Sequence, residues 1–297
     1  MTGRVIRARG RLFTVLAEGR EYQCEVLKKA KREERVTPVA VGDLVDFNFN
    51  SPGPGGIEKV HPRTTKFSRP RVGLEAAAVE QVIAANIDQM VVVVSVAQPQ
   101  FRRYLIDRFA VAAAKGGLKP ALVVNKIDLN HSLDLKRIRQ IYESIAIPVI
   151  FSSCKTEIGV DKLREQLRDH ESILVGHSGV GKSSLLNLLQ PGLALKTRRI
   201  SAASGKGKHA TTAVELYPLD FGGYVVDTPG LKILGLWELE AEELQYHFPE
   251  FQPYLGKCRF SRCSHTHEPE CAVKQAVNEG EICEERYQSY VRMYNDL

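Results

Sequence analysis

The sequence predicts a multidomain α/β protein: a small β-barrel, then a helix-covered parallel sheet, then a short helical module built around cysteine and histidine. Three observations carry this reading. Residues 3–68 hold short alternating apolar segments with no helical run. Between 69 and 236 apolar strands alternate with amphipathic helices. Beyond 237 the chain turns polar and Glu-rich and carries a Cys/His cluster.

At 297 residues the chain has room for two or three domains. A hydrophobic content of 43% with 26% charged residues is that of a soluble globular protein. Lys+Arg of 41 against Asp+Glu of 35 leaves a net charge of +6, which permits an anionic partner such as RNA without requiring one. The first residues, MTGRVIRARGRLF, have no apolar signal core, and the longest apolar run, residues 90–94, is too short to span a bilayer. A cytoplasmic protein without a membrane partner is expected. Its six cysteines are then read as thiols or metal ligands before disulfides.

In the first region, strands are expected at 4–9, 12–16, 22–27, 43–49 and 56–60, separated by Gly or Gly-Asp turns. The run 28–35 (KKAKREER) is a charged interruption and 51–56 (SPGPGG) a turn cluster. Five strands in this length suit an OB-type barrel. Arg4, Arg7, Arg9, Arg11, Lys28 and Lys29 make it a candidate RNA-binding barrel, assigned to residues 1–68.

The second region, 69–236, reads as strands at 89–96, 120–124, 149–152, 172–175 and 224–226. Helices are expected at 102–115, 138–144, 160–167 and 183–189. Near-continuous apolar strands alternating with helices argue for a parallel sheet buried on both faces.

The strongest chemical signal is GHSGVGKSS: Gly176, His177, Ser178, Gly179, Val180, Gly181, Lys182, Ser183 and Ser184. It fits the phosphate-binding pattern G-x-x-x-x-G-K-[ST], with an apolar strand before it and a helix after it. Glycines let backbone N–H groups face phosphates, and the helix N-terminus adds partial positive charge. Lys182 is expected on the β- and γ-phosphates and Ser183 on Mg²⁺.

NKID, which is Asn125, Lys126, Ile127 and Asp128, follows an apolar strand. A carboxylate there accepts from guanine N1–H and the 2-amino group, donors that adenine lacks, so the motif selects guanine. Ser153, Cys154 and Lys155 match the element whose backbone meets guanine O6. DTPG, from Asp227 to Gly230, places a carboxylate for Mg²⁺ through water and a backbone N–H for the γ-phosphate. Leu231 follows, where many GTPases carry a glutamine that orients the attacking water. The water-positioning group is therefore expected in residues 204–212 (SGKGKHATT). There His209 is the candidate catalytic residue, and Thr211 or Thr212 the candidate Mg²⁺ ligand.

The order of these motifs is rotated. The guanine-reading elements precede the phosphate loop, and the switch segment and DTPG follow it. The set closes into one site if the domain is circularly permuted, which domains with adjacent termini tolerate. The middle region is thus a circularly permuted P-loop GTPase domain. DTPG then leads into the C-terminal module, 237–297.

That module contains CRFSRCSHTHEPEC. Cys258, Cys263, His265 and Cys271 form a C-x4-C-x-H-x5-C set suited to tetrahedral Zn²⁺, with His267 and Cys283 as alternative ligands. Cys24 and Cys154 are read as plain thiols. A C-terminal helix is expected near 284–294.

Together these motifs resemble the RsgA family (also YjeQ or YloQ) of circularly permuted GTPases of small-ribosomal-subunit biogenesis. NKID at Asn125, GHSGVGKSS at Gly176, GKGKHATT at Gly205, DTPG at Asp227 and the Cys/His spacing carry the resemblance, which spans essentially the whole chain. It implies GTP hydrolysis stimulated by the small ribosomal subunit, a role in its late maturation, and contact with rRNA through the barrel and the zinc module. It also implies that His209 is the catalytic histidine. The family commonly reads HTTT where this chain has His209-Ala210-Thr211-Thr212, so Thr211 is preferred for Mg²⁺ over Thr212. The expected protein is a monomer that binds GTP or GDP with Mg²⁺ and one zinc, with hydrolysis acting as a release switch. The competing reading is an RNA-binding module that uses GTP mainly as a ligand. A small-molecule kinase is disfavoured, because it needs no guanine reader.

Overall fold

The structure, a computed structural model, describes residues 1–27, 37–49, 53–71, 79–193, 214–227 and 239–297. The first five strands are β1 (Thr2–Arg9), β2 (Leu12–Ala17), β3 (Arg20–Val26), β4 (Leu44–Asn48) and β5 (Gly55–Val60). They pair in the ring β1-β2-β3-β5-β4-β1, with β3 and β5 parallel and every other pair antiparallel. This is an OB-type barrel, closed where the first residues of β1 pair with β4. Its interior is filled by alternate residues, among them Val5, Phe13, Val15, Cys24, Val45, Phe47 and Ile57.

A two-stranded ribbon follows, β6 (Lys66–Arg71) with β7 (Val79–Ala85). The sequence reading assigned no strand here. Pro70 lies inside β6, and proline removes a ladder donor, so the pattern reads as non-strand unless the segment is a ribbon with a free side. The expected domain boundary at 68/69 falls within this ribbon.

The central sheet takes in β8 (Gln89–Ser95), β9 (Lys119–Asn125), β10 (Val149–Phe151), β11 (Glu171–Val175), β12 (Val214–Pro218) and β13 (Tyr224–Asp227), in the order β10-β9-β8-β11-β13-β12. All neighbours are parallel except β12 with β13. Helices α1 (Arg103–Lys115), α2 (Leu135–Glu143), α3 (Val160–Leu167) and α4 (Lys182–Leu189) cover its two faces. Period-two alternation divides each strand between two cores. Met90, Val92, Val94, Leu122, Val124, Ile173 and Val175 pack with α1 and α2. Val91, Val93, Ala121, Val123 and Leu174 pack with α3 and α4. After β8 the chain moves outward to β9 and β10; after β11 it moves to the other side. Strands β8 and β11 therefore flank a topological switch point, where open α/β sheets bind ligands at their carboxyl ends.

Strand β12, VELYP, escaped the sequence reading because it is short, half polar and ends on proline. It is the edge strand, and it pairs antiparallel with β1 of the barrel, Arg7 opposite Glu215 and Ala8 opposite Val214. Barrel and central sheet are thus one continuous hydrogen-bonded sheet. Arg7 Nε donates to Glu215 Oε1 at 2.7 Å, and Arg4 forms a fork with Glu171 while its guanidinium stands over Tyr224.

The C-terminal module has two 3₁₀ segments, Ala241–His247 and Pro249–Tyr254, then α5 (Ala272–Asn278) and α6 (Glu284–Asp296). It packs on α1 through Val111. Arg286 of α6 is buried at 1% exposure among Asp107 of α1, Glu250 and the ring of Phe248. Tyr142 of α2 donates to the same Asp107 oxygen at 2.9 Å. Removing one partner of such a pair leaves an uncompensated buried charge. Arg286→Ala is therefore expected to destabilise the fold by about 3–5 kcal/mol in denaturant titration, far more than loss of the exposed pair Arg168–Glu165.

Candidate functional site

Strand β11 ends at Val175, and the phosphate-loop sequence turns directly off it. Gly176 has φ +139°, and a Cβ there would meet the Val93 carbonyl oxygen at 2.0 Å, so the loop starts flat against the end of β8. Gly181, at φ +103°, caps α4, and a Cβ there would meet Asn125 Nδ2 at 2.3 Å. Both positions combine left-handed backbone with close approach, so only glycine fits. Val180 between them is buried in the core. Lys182 Nζ reaches back over the loop, donating to the carbonyls of Gly176 (2.7 Å) and His177 (3.1 Å). Ser183 and Ser184 occupy the first turn of α4, and Gly179 (φ +85°) follows His177 and Ser178 on the loop.

The NKID sequence leaves β9 at the same sheet end. Asn125 is 1% exposed; its Nδ2 donates to Val180 O at 2.9 Å and its Oδ1 accepts from Ser152 Oγ at 3.1 Å. One amide thereby joins the ends of β9 and β10 to the phosphate loop. Lys126 takes φ +62°, and its Nζ donates to the carbonyl of Gln98 in the loop before α1. Burial of this lysine lowers its pKa from the ordinary value. Ile127 N donates to Ser152 O at 3.2 Å. Asp128 accepts from Ser153 Oγ at 2.6 Å, and that hydroxyl also accepts from the backbone N–H groups of Lys155 and Thr156. An exposed carboxylate is thus held in one orientation by a buried serine. The Cys154 thiol lies 3.9 Å from Asn125 Nδ2, and burial pushes its pKa up.

Asp227 closes β13, whose Val226 pairs with Ile173 of β11, so its backbone arrives at the same sheet end. Phosphate loop, base-side loop and the last residue of β13 thus converge across the switch point. A glycine-bounded loop, a lysine and a held carboxylate suit a guanine nucleotide. His209, Thr211, Thr212, Gly230 and Leu231 lie outside the described residues. Two contacts were not legible in the sequence, Ser152 on Asn125 and the Gln98 carbonyl on Lys126. Each joins segments distant along the chain, and a Gln-Pro turn signal marks only that a loop stands at 98–99.

In the C-terminal module the ligand atoms of Cys258, Cys263, His265 and Cys271 all lie within 4.8 Å of one another. Cys258 Sγ is 3.5 Å from His265 Nδ1 and 3.8 Å from Cys271 Sγ, and His265 Nδ1 is 3.3 Å from Cys271 Sγ. A tetrahedron with Zn–S near 2.3 Å and Zn–N near 2.0 Å has edges of about 3.5–3.8 Å, so the cluster is compatible with zinc. The donor chemistry agrees. Burial pushes the Cys263 thiol up to about 12, which is where thiolates need a cation beside them. Gln245 Oε1 receives His265 Nε2 at 2.9 Å, which leaves Nδ1 for a metal. Tyr287 and Tyr290 of α6 brace the loop by donating to the carbonyls of His265 and Ser264, each at 2.8 Å. The alternatives fall away. The His267 side chain is 84% exposed, and Cys283 sits by Arg137 and Glu285 at the start of α6. Among the described residues no helix is long and apolar enough to cross a membrane.

The family model described as RsgA GTPase matches residues 60–237. A relative from Thermotoga maritima, the small ribosomal subunit biogenesis GTPase RsgA, is 40% identical over 299 residues, covering 99% of this chain and 96% of its own length. One from Gemmatimonas aurantiaca with the same name is 38% identical over 300 residues, covering 100% and 97%. Among solved structures, YjeQ from Thermotoga maritima matches with a TM-score of 0.78 at 37% identity, covering 100% of this chain and 98% of that one. YloQ, a circularly permuted GTPase, matches at 0.72 with 32% identity, covering 99% and 94%.

The glycine geometry gives a test. Gly181→Ala combines backbone strain of about 1–3 kcal/mol with a clash on Asn125. It is expected to weaken guanine-nucleotide binding by at least about tenfold in a fluorescent-nucleotide titration.

Proposed function

The chain belongs to the RsgA GTPase family, and on that premise we propose that it hydrolyses GTP on the small ribosomal subunit and uses hydrolysis as the signal for its own release. It is a GTPase of ribosome biogenesis. The observation that carries the nucleotide part is the joining of NKID to the phosphate loop through Asn125. That bond sets the distance between a guanine-selective carboxylate and a phosphate cradle.

In this reading Asp128, oriented by Ser153, accepts from guanine N1–H and the 2-amino group, and Lys126 covers the purine face. Lys182 exchanges its carbonyl partners for charge-assisted bonds to the β- and γ-phosphates. The loop N–H groups and the start of α4 take the remaining phosphate charge. Ser183, Thr211 (with Thr212 as the alternative) and Asp227 would hold Mg²⁺, which would supply charge neutralisation of the phosphates. His209 orients the attacking water, since Leu231 has no group to do so. The Cys258, Cys263, His265 and Cys271 set would hold one zinc, which supplies structural closure of the C-terminal module. We assign residues 1–68 to the RNA-binding barrel, 69–236 to the GTPase domain and 237–297 to the zinc module. The partner is the small subunit with its rRNA, met by a cytoplasmic monomer.

The decisive measurement is the GTP hydrolysis rate with and without purified small ribosomal subunits. Stimulation is expected in the wild type. His209→Ala is expected to lose stimulated turnover by about 10²–10⁴-fold while retaining GTP binding. Equal, slow turnover of both proteins under all conditions would favour an RNA-binding module that uses GTP as a ligand. A second test concerns the base. Asp128→Asn presents an amide donor, so preference should move from GTP towards xanthosine triphosphate by roughly 10²-fold or more in competition binding. An unchanged preference would remove Asp128 from the role.

A further inference from the structure

One surface combines an aromatic ring and cations that none of the roles above employs. Cys258 and Cys263 are drawn together at the Cys/His cluster, with ligand atoms within 4.8 Å. The residues between them, Arg259, Phe260, Ser261 and Arg262, therefore loop outward as a short finger, and all are exposed. Phe260 stands 45% exposed at its tip. The Arg259 guanidinium lies 5.8 Å from the centre of that ring and is ion-paired with Glu270. Arg259 N also donates to Glu270 O at 3.2 Å, bracing the finger at its root. Lys257 before the finger and Arg262 within it add exposed positive charge.

The groups held beside this exposed ring indicate what it would bind. A protein partner that buries a phenylalanine supplies an apolar pocket and is matched by further apolar residues around the ring. Along the finger itself the ring's chain neighbours are Arg259, Ser261 and Arg262, all exposed and cationic or polar, so the finger presents its ring among charges and not as part of an apolar stretch. A single ring flanked by cations fits a splayed nucleotide: the π-face takes the base and the cations take the adjoining phosphates. The chain's net charge of +6 has the sign such a partner requires. A finger rooted on two cluster cysteines also loses little freedom on binding.

We propose that the finger 259–262 is a stacking platform for an unpaired RNA base, with Phe260 under the base and Lys257 and Arg262 on the flanking phosphates. Arg259, already neutralised by Glu270, backs the ring instead of contacting phosphate. The proposal rests on the reading of this chain as an RNA-contacting factor and names the nucleic-acid feature it grips.

The test uses the full chain and a fluorescently labelled, short single-stranded RNA of mixed sequence, followed by anisotropy, with the same strand in a duplex as comparison. Phe260→Ala is expected to weaken single-strand binding about tenfold, as for loss of one stacked base. Phe260→Tyr should retain binding, and Phe260→Leu should not rescue it. Arg262→Ala should lower the slope of log affinity against log salt by roughly 0.7, as for one phosphate contact on a single strand. Zinc content and basal GTP hydrolysis, measured on each variant, should match the wild type. Wild-type RNA affinity in Phe260→Ala overturns the platform, and so does full rescue by Phe260→Leu, which would indicate an apolar protein contact. If small subunits fail to stimulate the wild type while Phe260→Ala still loses RNA, the assembly-factor reading falls and the platform stands.

Discussion

A buried amide must satisfy its hydrogen bonds within the fold, and Asn125 does so by joining three strand ends. Its Nδ2 reaches the phosphate loop at Val180 O, and its Oδ1 takes the hydroxyl of Ser152 after β10. Leaving either group unpaired would cost about 1–3 kcal/mol, so the separation of the NKID loop and the GHSGVGKSS loop is fixed by desolvation as well as by geometry. Gly181 follows from the same constraint: a side chain there would occupy the space of the Asn125 amide. The carboxylate of Asp128 and the ammonium of Lys182 are then positioned relative to each other through one residue.

The same sheet that carries this site also carries the barrel. Because β12 lies at the edge next to β13 and pairs with β1, the barrel is an extension of the nucleotide-binding sheet. Arg7–Glu215 and Arg4–Glu171 fix the register of that junction with partly buried charge pairs. At the other end, α6 docks on α1 and α2 through the buried Arg286, Asp107 and Tyr142 cluster. Adjacent residues of α6 face different ways: Arg286 holds the central domain, and Tyr287 holds the carbonyl of His265. Three modules are thus joined by one continuous sheet and one helix.

The cysteine cluster draws the loops of the C-terminal module together beside its apolar core. Burial of the Cys263 and Cys271 thiols disfavours their charged forms, so a cation beside them would stabilise the closed cluster. The ligand loops are braced by Gln245, Tyr287 and Tyr290, which come from both sides of the cluster in sequence. The finger that projects from it is a by-product of bringing Cys258 and Cys263 together.

Much of this was legible in the sequence, because local chemistry dictated it. Glycines at the loop positions, apolar runs of strand length, NKID after one such run, and the Cys/His spacing each have a cause within a few residues. The rotated motif order also gave the permutation, since one site must be assembled from the same parts. What the sequence left open was decided by contacts between distant segments. The edge strand β12 is short and half polar, and β6 of the ribbon is interrupted by Pro70; they become strands because β13 and β1, and the two ribbon strands for one another, supply the hydrogen bonds. That Cys258, Cys263, His265 and Cys271 stand together while His267 is exposed and Cys283 lies at the start of α6 depends on which side chains converge, and spacing alone does not set that. The burial of Arg286 is decided by tertiary structure for the same reason: a charged residue on a polar helix enters the interior only where Asp107 and Glu250 arrive from elsewhere to compensate it.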